Sequence, residues 1–152
     1  MKIKLITFEN ILPIWQTQLW PKRKSNIETH SAMMWPPGTE YSSEVFKFHP
    51  YFLGIFKNDN ENSELIAVNS FHQTEPKIMR SRGLWVHPDY RKKGLGTRLL
   101  TRTVEFSKLL DCNLIWSFPK LSSLSVYEKA GFLKEGEENN TGEFGPNYYV
   151  YQ

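Results

Sequence analysis

Between Ile78 and Leu110 the chain passes from a strand-like run, through a basic loop holding two glycines, into a segment with helical spacing. The run Ile78 to Val86 reads as a strand. After Gly94-Leu95-Gly96, the residues Leu99, Thr103, Phe106 and Leu110 recur at steps of four, three and four, while Arg98, Arg102, Glu105 and Lys108 take the other side. The face with Leu99 and Phe106 is therefore expected to pack and the charged face to stay wet. A strand that feeds an amphipathic helix through so short a loop commits this half of the chain to an α/β layer structure.

The remaining patterns are built around that unit. His49 to Lys57 and Glu64 to Gln73 are strand-like, with the polar turn Asn58 to Asn62 between them, and with Ile78 to Val86 they form an antiparallel meander. Residues 2 to 8 suit an edge strand, and a helix is expected from Asn10 to Leu19, broken by Trp20-Pro21. From Lys22 to Gly38 no period is evident, although a short helix around Asn26 to Met34 is one reading. Asn113 to Phe118 reads as a buried strand, Leu121 to Lys129 as a helix ended by Gly131, and Phe132 to Glu135 and Tyr148 to Tyr151 as closing strands. The expected order is strand, helix or helices, three strands, helix, strand, helix, two strands. A chain of 152 residues suits one domain, 1–152.

Charge and cysteine content narrow the partners. A formal charge of +3, with basic residues spread from Lys2 to Lys134, argues against nucleic acid as the main partner. The single cysteine, Cys112, cannot make an internal disulfide, and no Cys/His cluster has metal-ligand spacing, so no metal is expected. Glu9 and Asn10 interrupt the apolar start before a signal-peptide core is complete, and no run approaches the roughly 20 apolar residues of a membrane span. A cytoplasmic protein without a membrane partner is the expectation.

The chemistry concentrates in the loop. Glycine lets the backbone approach a ligand, the first turn of a helix has unpaired N–H groups, and its dipole end attracts anions. A phosphate would be held by main-chain donors from about Lys92 to Thr97, with Arg91, Lys92 and Lys93 adding charge. The two glycines could equally serve helix-on-sheet packing alone. The dinucleotide fingerprint is disfavoured because Leu99 stands at its third glycine position, and the Walker pattern is absent.

The stretch Val86-His87-Pro88-Asp89-Tyr90-Arg91-Lys92-Lys93-Gly94-Leu95-Gly96 resembles the acetyl-CoA motif of the GNAT family of N-acetyltransferases. Val126-Tyr127-Glu128-Lys129-Ala130-Gly131-Phe132 resembles that family's later motif, a helix ending in Tyr-x-x-x-Gly-Phe. Together with the element order, the resemblance covers roughly residues 45 to 151. It implies a mixed, mostly antiparallel central sheet flanked by helices and splayed between its parallel fourth and fifth strands. Acetyl-CoA would lie in that opening, its pantetheine against the main chain of Trp85 and Val86 and its pyrophosphate on Arg91, Lys92, Lys93, Gly94, Leu95, Gly96 and Thr97.

What the resemblance implies chemically is acetyl transfer to a primary amine of a small molecule or peptide, by direct attack in a ternary complex. A main-chain N–H near Val86 would stabilise the oxyanion, and Tyr127 would be the general acid that protonates the leaving thiolate. A buried amphipathic core tyrosine is the competing reading of Tyr127. Relatives often dimerise, so a homodimer is compatible.

Three departures stand out. Many relatives carry a glutamate on the strand equivalent to Ile78–Val86, whereas this one has Arg80 and Arg82 and no carboxylate. His72, Glu75, His49 or a water chain are the alternatives for the base. The arginines suggest an acceptor bearing a carboxylate if they face the cleft; salt bridging on the sheet surface is the duller reading. Lys120 stands where relatives often have asparagine, and Trp85 is large where they commonly have a small residue, either narrowing a pocket or filling core. The missing carboxylate also leaves open a CoA-binding sensor or interaction domain without chemistry.

Other signals divide similarly. Lys22-Arg23-Lys24 could meet an acidic substrate or a nucleic-acid phosphate, or be merely solvated. Trp35, Pro36, Pro37 and Tyr41 suit pocket walls or packing, and Cys112 suits a small apolar filler better than a nucleophile. The segment Gly142 to Tyr149 resembles a loop and final strand of some relatives.

Overall fold

Thr7 ends the first strand and starts the first helix. Its hydroxyl accepts the Asn10 N–H at 3.2 Å while the Asn10 side-chain oxygen accepts the Thr7 N–H at 3.0 Å, a reciprocal cap. Strand β1 is therefore Ile3–Ile6, and helix α1, Phe8–Ile14, begins two residues earlier than Asn10. Pro13 lies within α1, and the last turn widens into a π-helix, Trp15–Leu19, closed by the Trp20 N–H on the Trp15 carbonyl at 2.8 Å. The structure, a computed structural model, describes residues 1–60, 62–140 and 145–152, so the expected turn at 58–62 and the loop expected from Gly142 lie partly outside the described residues.

The seven strands form one sheet in the order β1-β2-β3-β4-β5-β7-β6, with β2 Tyr51–Phe56, β3 Leu65–Glu75, β4 Ile78–Val86, β5 Leu114–Ser117, β6 Leu133–Asn139 and β7 Asn147–Tyr151. All neighbours are antiparallel except β4 and β5, which α2, Leu95–Leu109, connects as parallel strands. The mixed, mostly antiparallel sheet flanked by helices is the one expected. The 3₁₀ turn Leu121–Ser123 and helix α3, Leu124–Lys129, replace the single helix expected there.

Alternation along the strands makes two cores. Leu53, Ile55, Ala67, Phe71 and Met79 face α2 and α3, meeting Leu95, Leu99, Leu100, Tyr127 and Phe132. Phe52, Val68 and Trp85 face the other side, meeting Ile11 and Trp15. Trp85 is thus core filling under α1, which settles its size in favour of packing.

No helix forms at Asn26 to Met34; the first helical turn after Leu19 is a 3₁₀ turn, Ser43–Lys47. The segment has no apolar period to bury, and its polar groups find distant partners instead. The Ser31 N–H donates to His72 Nε2 at 3.2 Å, and His30 Nε2 lies 2.7 Å from the Phe48 carbonyl. The Ser31 bond to His72, with those of Arg80 to Ser31 Oγ and Arg82 to the Glu28 carbonyl, drapes the segment over β3 and β4. Among the described residues no helix is long and apolar enough to cross a membrane.

Candidate active site

β4 and β5 pair only from Ile78 to Arg80 against Leu114 to Trp116, and beyond that point the two strands part. A bulge sharpens the divergence: Gly83 and Leu84 together oppose Asn69 of β3, and Gly83 sits at φ +78. A Cβ at Gly83 would stand 2.4 Å from the Trp15 ring, whose Nε1–H donates to the Gly83 carbonyl at 2.9 Å. The lone glycine within the strand pattern was the available sequence signal for this bulge.

Past the bulge the ladder decides which main-chain groups face the opening. The His87 N–H bonds the Ile66 carbonyl at 2.7 Å, and the register pairs Trp85 with Val68 and Val86 with Ala67. Hydrogen-bonded and non-bonded pairs alternate in antiparallel ladders, so the Trp85 main chain is committed to β3 and that of Val86 turns outward. Of the two residues expected to face the pantetheine, Trp85 thus has its main chain paired with β3 and Val86 has its main chain toward the opening. The Val86 carbonyl accepts Arg91 Nε–H at 2.9 Å, tying the basic loop to the strand end.

The loop itself curls through left-handed conformations at Lys92 (φ 62) and Gly94 (φ 80). Alternation of this kind turns successive N–H groups inward as a nest, and Gly94 then caps α2, whose first-turn N–H groups have no intrahelical acceptor. The two glycines have different jobs. A Cβ at Gly94 would meet nothing within 4 Å, whereas one at Gly96 would stand 3.0 Å from Val126 Cγ1 and 3.6 Å from Val86 Cγ2. Gly94 leaves space over the nest; Gly96 lets α2 approach α3 and β4. Arg91, Lys92 and Lys93 are exposed around it, Thr97 is half-buried, and the Leu95 side chain belongs to the core, so Leu95 offers only its N–H.

Where the strands part, a cavity of about 310 Å³ opens. Tyr127, 2 % exposed, lines it beside Ser117, whose Oγ donates to the Ser81 carbonyl at 2.7 Å and lies 3.4 Å from the Tyr127 hydroxyl. Burial raises the Tyr127 pKa above its usual value, so the phenol holds its proton at neutral pH. Arg80, Arg82, Arg23 and Lys120 also line the cavity, and among the described residues no carboxylate does. Arg80 and Arg82 therefore face the cleft and are not surface ion pairs. Burial pulls Arg80 down to about 10, still cationic at neutral pH, and lowers Arg82 well below its ordinary value.

The acetyltransferase (GNAT) family profile matches residues 15–132. The chain belongs to this family. A Lactobacillus plantarum protein classed as an N-acetyltransferase has the same fold at 14% identity and TM-score 0.70, over 100% of this chain and 98% of that one. A variant of the spermidine N-acetyltransferase of Vibrio cholerae also shares the fold, at 14% identity and TM-score 0.63, over 99% and 94%. A Bacillus subtilis acetyltransferase in complex with CoA matches at 18% identity and TM-score 0.54, over 75% and 93%. No curated protein matches the chain in sequence.

Among GNAT chains with a glutamate on the fourth strand, this one is a departure, and none of its substitute bases reaches the cavity. His49 is exposed and edges the Tyr51 ring at 4.7 Å, and Glu75 is exposed at the far end of β3. His72 is 1 % exposed, with Nε2 accepting from Ser31 and Nδ1 against the Gln73 carbonyl, and burial lowers its pKa well below the usual value. Lys120 donates to the Leu19 carbonyl at 3.1 Å, bridging the junction after β5 to the end of α1's π-turn. Ser117 was missed by sequence reasoning, since a serine at a strand end carries no distinguishing signal. Trp35 lies over Trp116 at 5.9 Å and Cys112 is half-buried with a raised pKa, so both pack.

Proposed function

We propose that this protein transfers an acetyl group from acetyl-CoA to a primary amine by direct attack in a ternary complex. The observation that carries the reading is the junction of three features at one strand divergence: the nest at Lys92 to Thr97, the outward main chain of Val86, and the buried Tyr127 in the adjoining cavity. The nest fits a pyrophosphate because Gly94 keeps the space over it clear. Arg91, Lys92 and Lys93 surround it with exposed charge, and the N–H groups of Leu95, Gly96 and Thr97 complete the cradle.

Bound acetyl-CoA supplies an acyl group activated as a thioester. The protein contributes an N–H at Val86 to the carbonyl oxygen as negative charge develops there. Tyr127 gives its proton to the departing sulfur; a phenol held neutral by burial is a suitable donor near pH 7. The amine must lose its own proton to water, because no carboxylate or imidazole lines the cavity among the described residues. That same feature favours the second reading, a CoA-binding sensor without chemistry.

A calorimetric titration with acetyl-CoA, followed by a thiol-release assay over a panel of amines, tests both. Micromolar binding with amine-dependent thiol release supports the enzyme. Binding without release by any amine supports the sensor. No binding by the folded protein sinks both.

A further inference from the structure

Two guanidinium groups buried in the lining of one cavity are a costly arrangement, and among the described residues no carboxylate lines that cavity or pairs directly with either; Glu28 favours the Arg82 charge only from beyond ion-pair distance. Arg80 is 6 % exposed and Arg82 4 %, and neither is ion-paired among the described residues. Their surroundings hold them in place without neutralising them. Arg80 lies over the Trp116 ring at 4.7 Å and donates to Ser31 Oγ at 2.7 Å. Arg82 lies against both Trp15 and Trp20, at 4.9 and 5.3 Å from their ring centroids, and donates to the Glu28 carbonyl at 2.9 Å. Ser31 is in turn fixed by His72, and Ser70 Oγ bonds the Arg82 carbonyl at 2.6 Å.

Stacking orients a guanidinium but satisfies few of its five donors. Arg80 Nε is buried with no hydrogen-bond partner among the described residues. Arg23 and Lys120 reach the same cavity, which brings its lining to four cations with no carboxylate among the described residues. Tyr127 lines it too, so an anion on these arginines lies in the same space as the proposed proton donor. The volume of about 310 Å³ falls at the small end of ligand pockets.

On the acyltransferase reading, we infer that the acceptor is a small amine carrying an anionic group, carboxylate or phosphate, which docks on Arg80 and Arg82 and presents its amine beside Tyr127. The planar fork of Arg80 suits bidentate capture of either oxyanion. A polyamine would meet repulsion from all four cations, so the cavity is built against the acceptor named for the Vibrio cholerae neighbour.

The test is a set of calorimetric titrations on the protein with and without saturating CoA, using matched probes. β-Alanine is compared with its amide, O-phosphoethanolamine with ethanolamine, and spermidine is included; the same compounds then enter the thiol-release assay. The acid or the phosphate is expected to bind about tenfold or more tightly than its partner lacking the anionic group, the scale of a charge-assisted pair, and spermidine weakest. Which of the two anions wins separates carboxylate from phosphate. Arg80→Met should erase most of the preference and Arg80→Lys part of it, with acetyl-CoA affinity unchanged within about twofold. Because Arg80 also packs on Trp116, the comparison of probes on the unaltered protein decides even if a variant does not fold.

Equal binding of probes with and without the anionic group, tighter binding of spermidine, or a preference that survives in Arg80→Met overturns the inference. Acetyl-CoA binding with no affinity for either anionic amine overturns it while leaving the acyltransferase reading intact. Failure to bind acetyl-CoA removes that reading, and the titrations without CoA still decide whether the cavity takes anions.

Discussion

The two anion sites proposed for this chain are built by opposite means. At Arg91 to Thr97 the proposed donors are main-chain N–H groups on one contiguous stretch, an exposed loop curled by Lys92 and Gly94 that runs into the first turn of α2. In the cavity the donors are buried guanidiniums, brought together from β4 and packed on indoles contributed by the turn after α1 and by β5. The loop spends little: its backbone dipoles are fixed by local conformation and hydrated when nothing is bound. The cavity removes two charges from water, and only a specific counter-charge recovers that loss. An exposed nest suits a cofactor shared by many enzymes, and a buried pair of cations suits discrimination among acceptors.

The sharpest way to break the contrast is Tyr127→Phe, which keeps the ring against Phe132 at 5.4 Å and removes only the hydroxyl. Turnover is expected to fall about 100-fold or more, the range of general-acid catalysis, with acetyl-CoA affinity held within about twofold. Unchanged turnover in the thiol assay would take Tyr127 out of the mechanism and leave it a core residue.

Next come the glycines, which should separate ligand space from packing. Gly94→Ala is expected to weaken acetyl-CoA about tenfold by calorimetry, since the new Cβ enters the space over the nest, and to cost about 1 kcal/mol of stability through the positive φ. Gly96→Ala should instead show mainly as a lower melting temperature, about 1–3 kcal/mol, because its Cβ crowds Val126. If Gly96→Ala weakens binding more than Gly94→Ala, the division of labour is wrong.

A third effect belongs to the scaffold behind the cavity. Burial, and for His72 also the neighbouring Arg80, lowers the pKa of both His30 and His72, whose rings lie 4.9 Å apart. Below the unfolded value of about 6.5 the unfolded chain binds more protons than the native one, so stability is present above that pH and is lost as pH falls toward the folded pKa values. The melting temperature should drop between about pH 7.5 and pH 5.5; a flat profile contradicts the buried neutral pair. The smallest effect is expected for Lys92→Ala, an exposed residue. Its contribution to acetyl-CoA binding should be a few-fold, about 1 kcal/mol or less, and should fade with added salt.

Sequence reasoning worked best where structure is local. The run from Ile78 through Gly94-Leu95-Gly96 into Leu99 and Phe106 announced a strand, an anion-ready turn and an amphipathic helix, because each depends on residues a few positions apart. The same locality made the order of elements readable, whereas Tyr127 was singled out by the resemblance of Val126 to Phe132 to a family motif. It failed where long-range partners decide. Asn26 to Met34 offered no period, and its course is set by Ser31 on His72 and His30 on Phe48. Trp85 could be placed in a pocket or a core until the ladder assigned its main chain to Val68 and its side chain to the α1 face.

The sequence by itself therefore determined the sheet-and-helix order and the glycine-bearing turn at the start of α2, both consequences of short-range backbone chemistry. Only the tertiary structure decided what the two arginines do. Alternation put Arg80 and Arg82 on one face of β4, but whether that face met water, a carboxylate or a cavity depended on Trp15, Trp20, Ser31 and Trp116, which lie up to 67 residues from Arg82 along the chain, 82 − 15. Burial separates a cation held in a cavity from an ordinary surface cation, and burial is a property of the packed molecule.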